Sequence, residues 1–210
     1  MVNERIKNTV SFYVLCSRLK DTIRKGPLVW NANRERIESV AEHIYGTQML
    51  AISVYYQFGY KLDLNKIIYM IAVHELEEIE TGDLAFYEIT KEEKTKKSKE
   101  AIGFLLKDFL GKDEIVHLLD EYSERKTPEA IFAHHCDKLE CDIQIKLYDQ
   151  EGCFDLGHQP NNPIINTPNV RKVLESENSI SNAWIEFDRD KYEDDPIFID
   201  IIDWLKGNDI

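Results

Sequence analysis

One stretch constrains this 210-residue chain more than any other: His74, Glu75, Glu77 and Glu78 directly follow the apolar run Lys66 to Val73, which reads as a buried helix. Positions 74 and 78 are four apart, so on a helix they share a face. An imidazole and carboxylates at the end of a buried helix are costly unless something pairs with them, and a divalent cation does that well. Two further segments offer ligands: Glu42 with His43 upstream, and His134, His135, Cys136 and Asp137 downstream. The pattern predicts a metal site assembled from three separated helices.

The rest of the chain also reads as helix. Residues 3–24 carry Ile6, Val10, Leu15, Leu19 and Ile23 roughly on one face. Ser39 and Glu42 form a capping-box pattern that should open a helix running to about Phe58. Asp63 caps the next helix, expected to continue through His74 toward Gly82. Thr90 with Glu93 is a second capping box, for a helix reaching Gly111, and a shorter helix follows over 113–125. Thr127-Pro128 opens a long helix to about Asp149; Thr167-Pro168 and Asp195-Pro196 repeat that start signal, and 179–192 reads as helical too. Residues 151–166 are rich in Gly, Pro and Asn and read as a loop. No strand pair stands out. The expected fold is an all-α bundle, with a core over 1–150 and a helical C-terminal extension over 151–210 packed on the same domain.

Charge and composition narrow the function. A net charge of −13 argues against an extended nucleic-acid surface or an anionic membrane as partner. It leaves room for a small anionic substrate, because a metal and a few arginines make one pocket positive inside an acidic protein. No apolar run approaches the roughly 18 residues of a membrane span, and the N-terminus lacks a signal-peptide pattern, so a cytoplasmic protein is expected. Four cysteines without CxxC spacing argue against a zinc ribbon or a thioredoxin-type site.

Taken singly, each polar residue has a plain structural reading. His43 falls in the first turn after the Ser39 cap, where a lone histidine is more often a hydrogen-bonded core residue than a ligand. Glu77 and Glu80 read as solvated, Asp137 could simply pair with Lys138 or an arginine, and His134 and His135 remain ambiguous. The joint occurrence of His43 and His74 on apolar helices shifts the balance to a site. Two metal-site patterns fail on spacing. A zincin needs His-Glu-x-x-His, and the fifth position here is Glu78. A ferritin-like di-iron bundle needs two Glu-x-x-His pairs, and only Glu114 with His117 provides one.

These residues resemble the H…HD…D signature of the HD-domain metal-dependent phosphohydrolases, and more narrowly their 5′-deoxynucleotidase branch. The matching stretches are Arg36 to His43 (Arg-Ile-Glu-Ser-Val-Ala-Glu-His), His74-Glu75 with Glu78 and Thr81 to Leu84, and Asp137-Lys-Leu-Glu140. The resemblance covers roughly residues 10–150. It implies that His43, His74, Glu75 and Asp137 bind one divalent cation (Mn, Co, Fe, Ni, Zn or Mg). Glu78 would act on the attacking water or the leaving group, and Asp83 would hold the sugar or the water network. The family grips phosphate and sugar with an arginine directly before a tryptophan; here Arg24 and Trp30 stand apart, and Arg36 is a third candidate for substrate binding. Glu75 occupies the position where the family carries Asp.

The resemblance implies a phosphate-monoester hydrolase acting on a (deoxy)nucleoside 5′-monophosphate, working as a homodimer. Alternatives on the same scaffold are a degenerate HD domain that binds nucleotide or metal without turnover, and a phosphodiesterase or nucleoside triphosphate hydrolase.

Overall fold

Short polar signals start the helices. Ser39 accepts the backbone N–H of Glu42, and the Glu42 carboxylate accepts the Ser39 N–H at 2.9 Å, closing a capping box. Thr90 and Glu93 repeat it. Asp63 caps through Lys66 N–H, and Thr127 caps just ahead of Pro128 at the first helical position. The computed structural model describes residues 2–85, 87–177 and 179–210. Among these the regular elements are helical: α1 (Val2–Cys16), α2 (Lys25–Val29), α3 (Val40–Phe58), α4 (Leu64–Val73), α5 (Glu78–Thr81), α6 (Lys91–Leu105), α7 (Lys112–Glu124), α8 (Pro128–Gln150), α9 (Pro168–Leu174), α10 (Ile180–Asp188) and α11 (Pro196–Gly207). Short 3₁₀ turns follow α1 (Ser17–Lys20) and α10 (Arg189–Tyr192). No described helix is long and apolar enough to cross a membrane.

The expected all-α class holds. α8 is the axis of the fold: fourteen of its residues are buried. It packs against α3, α4, α7 and α10. Ala51, Val54, Ile67, Met70, Ile71, Phe132 and Leu139 share one apolar core with Ile185, Tyr192, Phe198, Ile202 and Leu205 from the last third of the chain. Burial of such side chains contributes about 1.5–3 kcal/mol each.

Three boundaries differ from the sequence expectation. The first helix ends at Cys16 rather than near 24, because residues 22–24 spend their backbone on the segment before α3. Arg24 N–H donates to Glu38 O at 3.0 Å, and Val40 N–H donates to Thr22 O at 2.8 Å. This pairing lays Arg24 beside the start of α3. The helix opened by Thr90 stops at Leu105 instead of Gly111, and the chain turns so that Phe109 stacks on Phe12 with ring centroids 4.3 Å apart.

The third difference matters most for the site. α4 does not run on to Gly82; it ends at Val73, with His74 as its cap residue. His74 Nδ1 bonds to the Ile71 carbonyl at 2.7 Å, occupying an acceptor that a continuing helix would use. Beyond it the backbone tightens, with Leu76 N–H to Val73 O and Glu78 N–H to Glu75 O, both at 3.1 Å.

Candidate metal centre and its cleft

Three helices meet where the sequence placed its ligands. His43 comes from the first turn of α3, His74 and Glu75 from the end of α4, and Asp137 from the middle of α8. One ligand atom from each lies within 4.8 Å of the others, and all but Glu75 are buried. His43 Nε2 is 3.1 Å from Asp137 Oδ1, His74 Nε2 is 3.8 Å from the same oxygen, and His74 Nε2 is 3.4 Å from Glu75 Oε1.

The second nitrogen of each imidazole is already engaged. His74 Nδ1–H points at the Ile71 carbonyl, and His43 Nδ1 meets Glu140 Oε2 at 2.5 Å. These bonds turn both Nε2 atoms into the cluster, which is how a metal-binding histidine is oriented. His74 Nε2 is buried and has no hydrogen-bond partner. Asp137 is divided in the same way. Its Oδ2 accepts from Tyr122 OH at 2.8 Å and lies 3.0 Å from Lys138 Nζ, while Oδ1 faces the two imidazoles. An unmatched buried nitrogen among converging carboxylates fits a divalent cation with mixed N and O ligands.

The electrostatics agree. Burial opposes ionisation of Asp137, but Lys138 and the two histidines hold its carboxyl well below the usual range. Burial likewise opposes Glu75, and His74 keeps its carboxyl low. His43 is pushed up to about 9: burial and Arg24 disfavour its proton, and the bonds to Asp137 and Glu140 outweigh them. A proton and a cation compete for the same nitrogen there.

Glu78 opens the four-residue α5 and is buried, with Oε2 unpartnered. Burial, followed by repulsion from Glu75 and Asp83, pushes its carboxyl up to about 10. A carboxyl whose hold on its proton is raised in this way is suited to acting as a general acid. Glu77 departs from its expected solvated role: it is half-buried, and burial with Glu75 lifts its carboxyl to about 7. Glu80 is exposed, as expected, and pairs with Arg18.

Arg24 is a second cation at the edge of the cluster, after Lys138. Its Nη1 lies 3.9 Å from both Glu75 Oε1 and Asp83 Oδ2, and Nη2 is 2.9 Å from Cys141 Sγ. Burial opposes its charge, but Cys141, Asp83, Glu75 and Asp137 raise its affinity for the proton well above normal. Asp83 also accepts the Lys25 N–H at 2.8 Å. Arg24, Asp83, Lys138 and Trp30 line a cleft of about 210 Å³ beside the ligand set. Arg36 takes a different place from the one expected: its side chain is 70% exposed and pairs with Glu42 at the start of α3, outside that cleft. The capping role of Glu42 explains the position, since the pair closes the N-terminus of the helix.

Neither additional histidine joins the cluster. His135 Nε2 is 3.0 Å from Asp194 Oδ1 and its ring packs on Phe198; His134 is buried beside Tyr122, and burial with Lys138 pushes it down to about 3.

A family model described as "HD domain" matches residues 16–162. The chain belongs to the HD-domain family. Among its relatives, this HD-domain chain is 34% identical over 155 residues to a 5′-deoxynucleotidase HDDC2 of Dictyostelium discoideum, covering 70% of this chain and 80% of the relative. It is 32% identical over 147 residues to the protein of the same name from Danio rerio, covering 68% and 70%. Its fold resembles a conserved hypothetical protein from Pyrococcus furiosus, with a TM-score of 0.66 at 24% identity over 95% of this chain and 99% of that one. A predicted metal-dependent phosphohydrolase from Magnetospirillum magnetotacticum aligns with a TM-score of 0.56 at 23% identity, over 71% and 76%.

The HD-domain reading in sequence passed over several residues around the cluster. Glu140 closed the third motif without a role of its own, although it stands one turn from Asp137 on the same face of α8. Tyr122 and Cys141 offered no local signal, because their partners, Asp137 and Arg24, come from other helices.

Proposed function

We propose that this chain is a metal-dependent phosphohydrolase that removes the 5′-phosphate from a deoxynucleoside monophosphate. The observation carrying the proposal is the unpartnered, buried His74 Nε2 among three further ligand atoms, next to a cleft edged by Arg24 and Lys138. The names of the relatives, 5′-deoxynucleotidases, support the substrate class. Their alignment spans most of both chains.

His43, His74, Glu75 and Asp137 hold one divalent cation, and two imidazoles with two carboxylates favour first-row ions from Mn to Zn over Mg. When bound, that ion supplies Lewis-acid stabilisation of charge on a phosphoryl group. Arg24 binds phosphoryl oxygens, kept charged by the acids around it. Lys138 holds Asp137 in place by its 3.0 Å pair. Glu78, its carboxyl's affinity for the proton raised by burial and by Glu75 and Asp83, gives its proton to the leaving 5′-oxygen and then accepts one from the incoming water. Asp83 fixes the first turn of α2 through Lys25 N–H and steadies Arg24. Glu75 in place of the family's Asp reaches one methylene further into the cluster.

The core and residues 151–210 act as one domain, supported by the apolar core that Ile185, Phe198 and Ile202 share with α4 and α8. The assembly proposed is a homodimer. The exposed apolar residues Val2, Ile6, Val10 and Val14 of α1 support it as a surface for a second copy.

The test is phosphate release from nucleoside 5′-monophosphates, 3′-monophosphates and triphosphates, with Mn, Co, Mg or Zn returned to stripped protein. Release confined to 5′-deoxynucleotides supports the reading. Stoichiometric metal binding with no release from any ester would replace it with a binding module.

A further inference from the structure

The cleft beside the ligand set has two chemically different walls. Arg24, Asp83 and Lys138 form the first, and each sits against the ligand carboxylates or against a neighbour that does. The second is apolar, made of Val29, Trp30, Val170, Val173, Ala183 and Trp184; Asp188 and Lys191, paired with each other at 2.6 Å, also line the cleft past the end of this wall. Trp30, Val170, Val29 and Trp184 also belong to a single apolar cluster, so this wall is continuous rather than scattered. Its α9 and α10 residues all lie beyond residue 162, where the HD-domain match ends.

Gly26 shows how closely the indole is seated. A Cβ on Gly26 would lie 2.9 Å from Trp184 Cη2. The backbone there is ordinary helix, so glycine is needed for room and not for conformation. Gly26 and Trp184 both line the cleft.

A cleft that joins charged side chains beside the ligand set to a continuous apolar wall carrying the Trp184 indole suits a ligand that is anionic at one end and planar at the other. The geometry points to the α9–α10 wall as the nucleobase subsite of this enzyme, with Trp184 as the residue that packs against the base. This rests on the reading of the substrate as a nucleoside monophosphate. The C-terminal segment, rather than the metal core, then sets which bases are accepted. A broad apolar wall recognises the π-face common to all bases and discriminates by size more than by hydrogen bonding.

The experiment compares kcat/KM for 2′-deoxyadenosine 5′-monophosphate with that for 2-deoxyribose 5-phosphate, which has the phosphate and sugar but no base. In Trp184→Ala the ratio of the two should fall about ten- to a hundredfold, chiefly through KM for the nucleotide. Trp184→Phe should recover most of the ratio, and Gly26→Ala, which displaces the indole from its seat, should lower it with the tryptophan still present. An unchanged ratio in all three variants, with both substrates turned over, overturns the base subsite and leaves the hydrolase reading standing. Binding of the nucleotide to the Glu78→Gln protein, followed by calorimetry, separates the other failure. If no ester is hydrolysed but Trp184→Ala in that background still weakens nucleotide binding at least tenfold, the subsite stands and the reaction does not.

Discussion

Gly46 and Glu140 face each other across the α3–α8 contact so closely that a Cβ on residue 46 would lie 2.5 Å from Glu140 Oε1. The carboxylate that orients His43 therefore occupies space that only a glycine leaves open. Gly→Ala inside a helix normally stabilises by up to about 1 kcal/mol. Here overpacking, worth about 1–3 kcal/mol, should outweigh that gain. Gly46→Ala is expected to lower stability in urea and to weaken metal binding, as read by denaturation and by competition with a chromophoric chelator.

Glu140→Gln tests the same contact without adding volume. Glutamine still offers an oxygen to His43 Nδ1–H, but the negative charge behind the imidazole is lost. Metal affinity should fall about 10- to 100-fold with the fold intact. Unchanged affinity in a competition titration would contradict the orienting role.

Glu78→Gln removes the proton that this buried carboxyl carries, its affinity raised to about 10 by burial and the adjacent acids. Turnover should fall about 10²- to 10⁴-fold. Metal content, measured by elemental analysis after dialysis, should remain that of the unaltered protein. Loss of the metal in this variant would move Glu78 from proton transfer to ligation.

Much of this was legible in sequence, for physical reasons. Ser39, Thr90, Thr127 and Asp195 act through residues within three positions, so local chemistry announces them. His43, His74 and Asp137 were visible because histidine and acids on apolar helices need an explanation. The end of α4 was not visible: it depends on the His74 side chain capturing the Ile71 carbonyl, an outcome of rotamer and packing. Arg36 looked like a substrate residue from its place in a motif, but its charge is spent on Glu42 six residues away. Trp184 carried no signal at all, because its role depends on α10 being folded back over Gly26.

Asp142 supplies a pH prediction away from the cluster. It is fully buried, its Oδ2 accepts from Tyr192 OH at 2.6 Å, and Oδ1 has no partner. Burial, then repulsion from Asp188, raises its pKa well above the ordinary value. A carboxyl raised in the folded state binds its proton more tightly there than when unfolded. Its contribution therefore favours folding below the unfolded pKa of about 3.9 and declines as pH rises from there toward the raised folded value. Asp142→Asn should thus stabilise at pH 7 by about 1–3 kcal/mol, with the gain vanishing near pH 3. Urea midpoints at the two pH values check it.

Metal removal should also destabilise. An ion present at a hundredfold excess over its Kd adds about 2.7 kcal/mol of stability. For a chain of this size, chelation should lower Tm by about 5–10 °C. His74→Ala, with one ligand gone, should show a far smaller drop on chelation.

The most direct measurement is a stepwise metal titration of stripped protein with phosphate release from a deoxynucleoside 5′-monophosphate recorded at each step. Activity should rise in proportion to occupancy, saturate at one ion per chain, and be absent throughout in His74→Ala. Release that persists in the stripped protein with excess chelator, or that survives in His74→Ala, would contradict a reaction run at the His43–His74–Glu75–Asp137 centre.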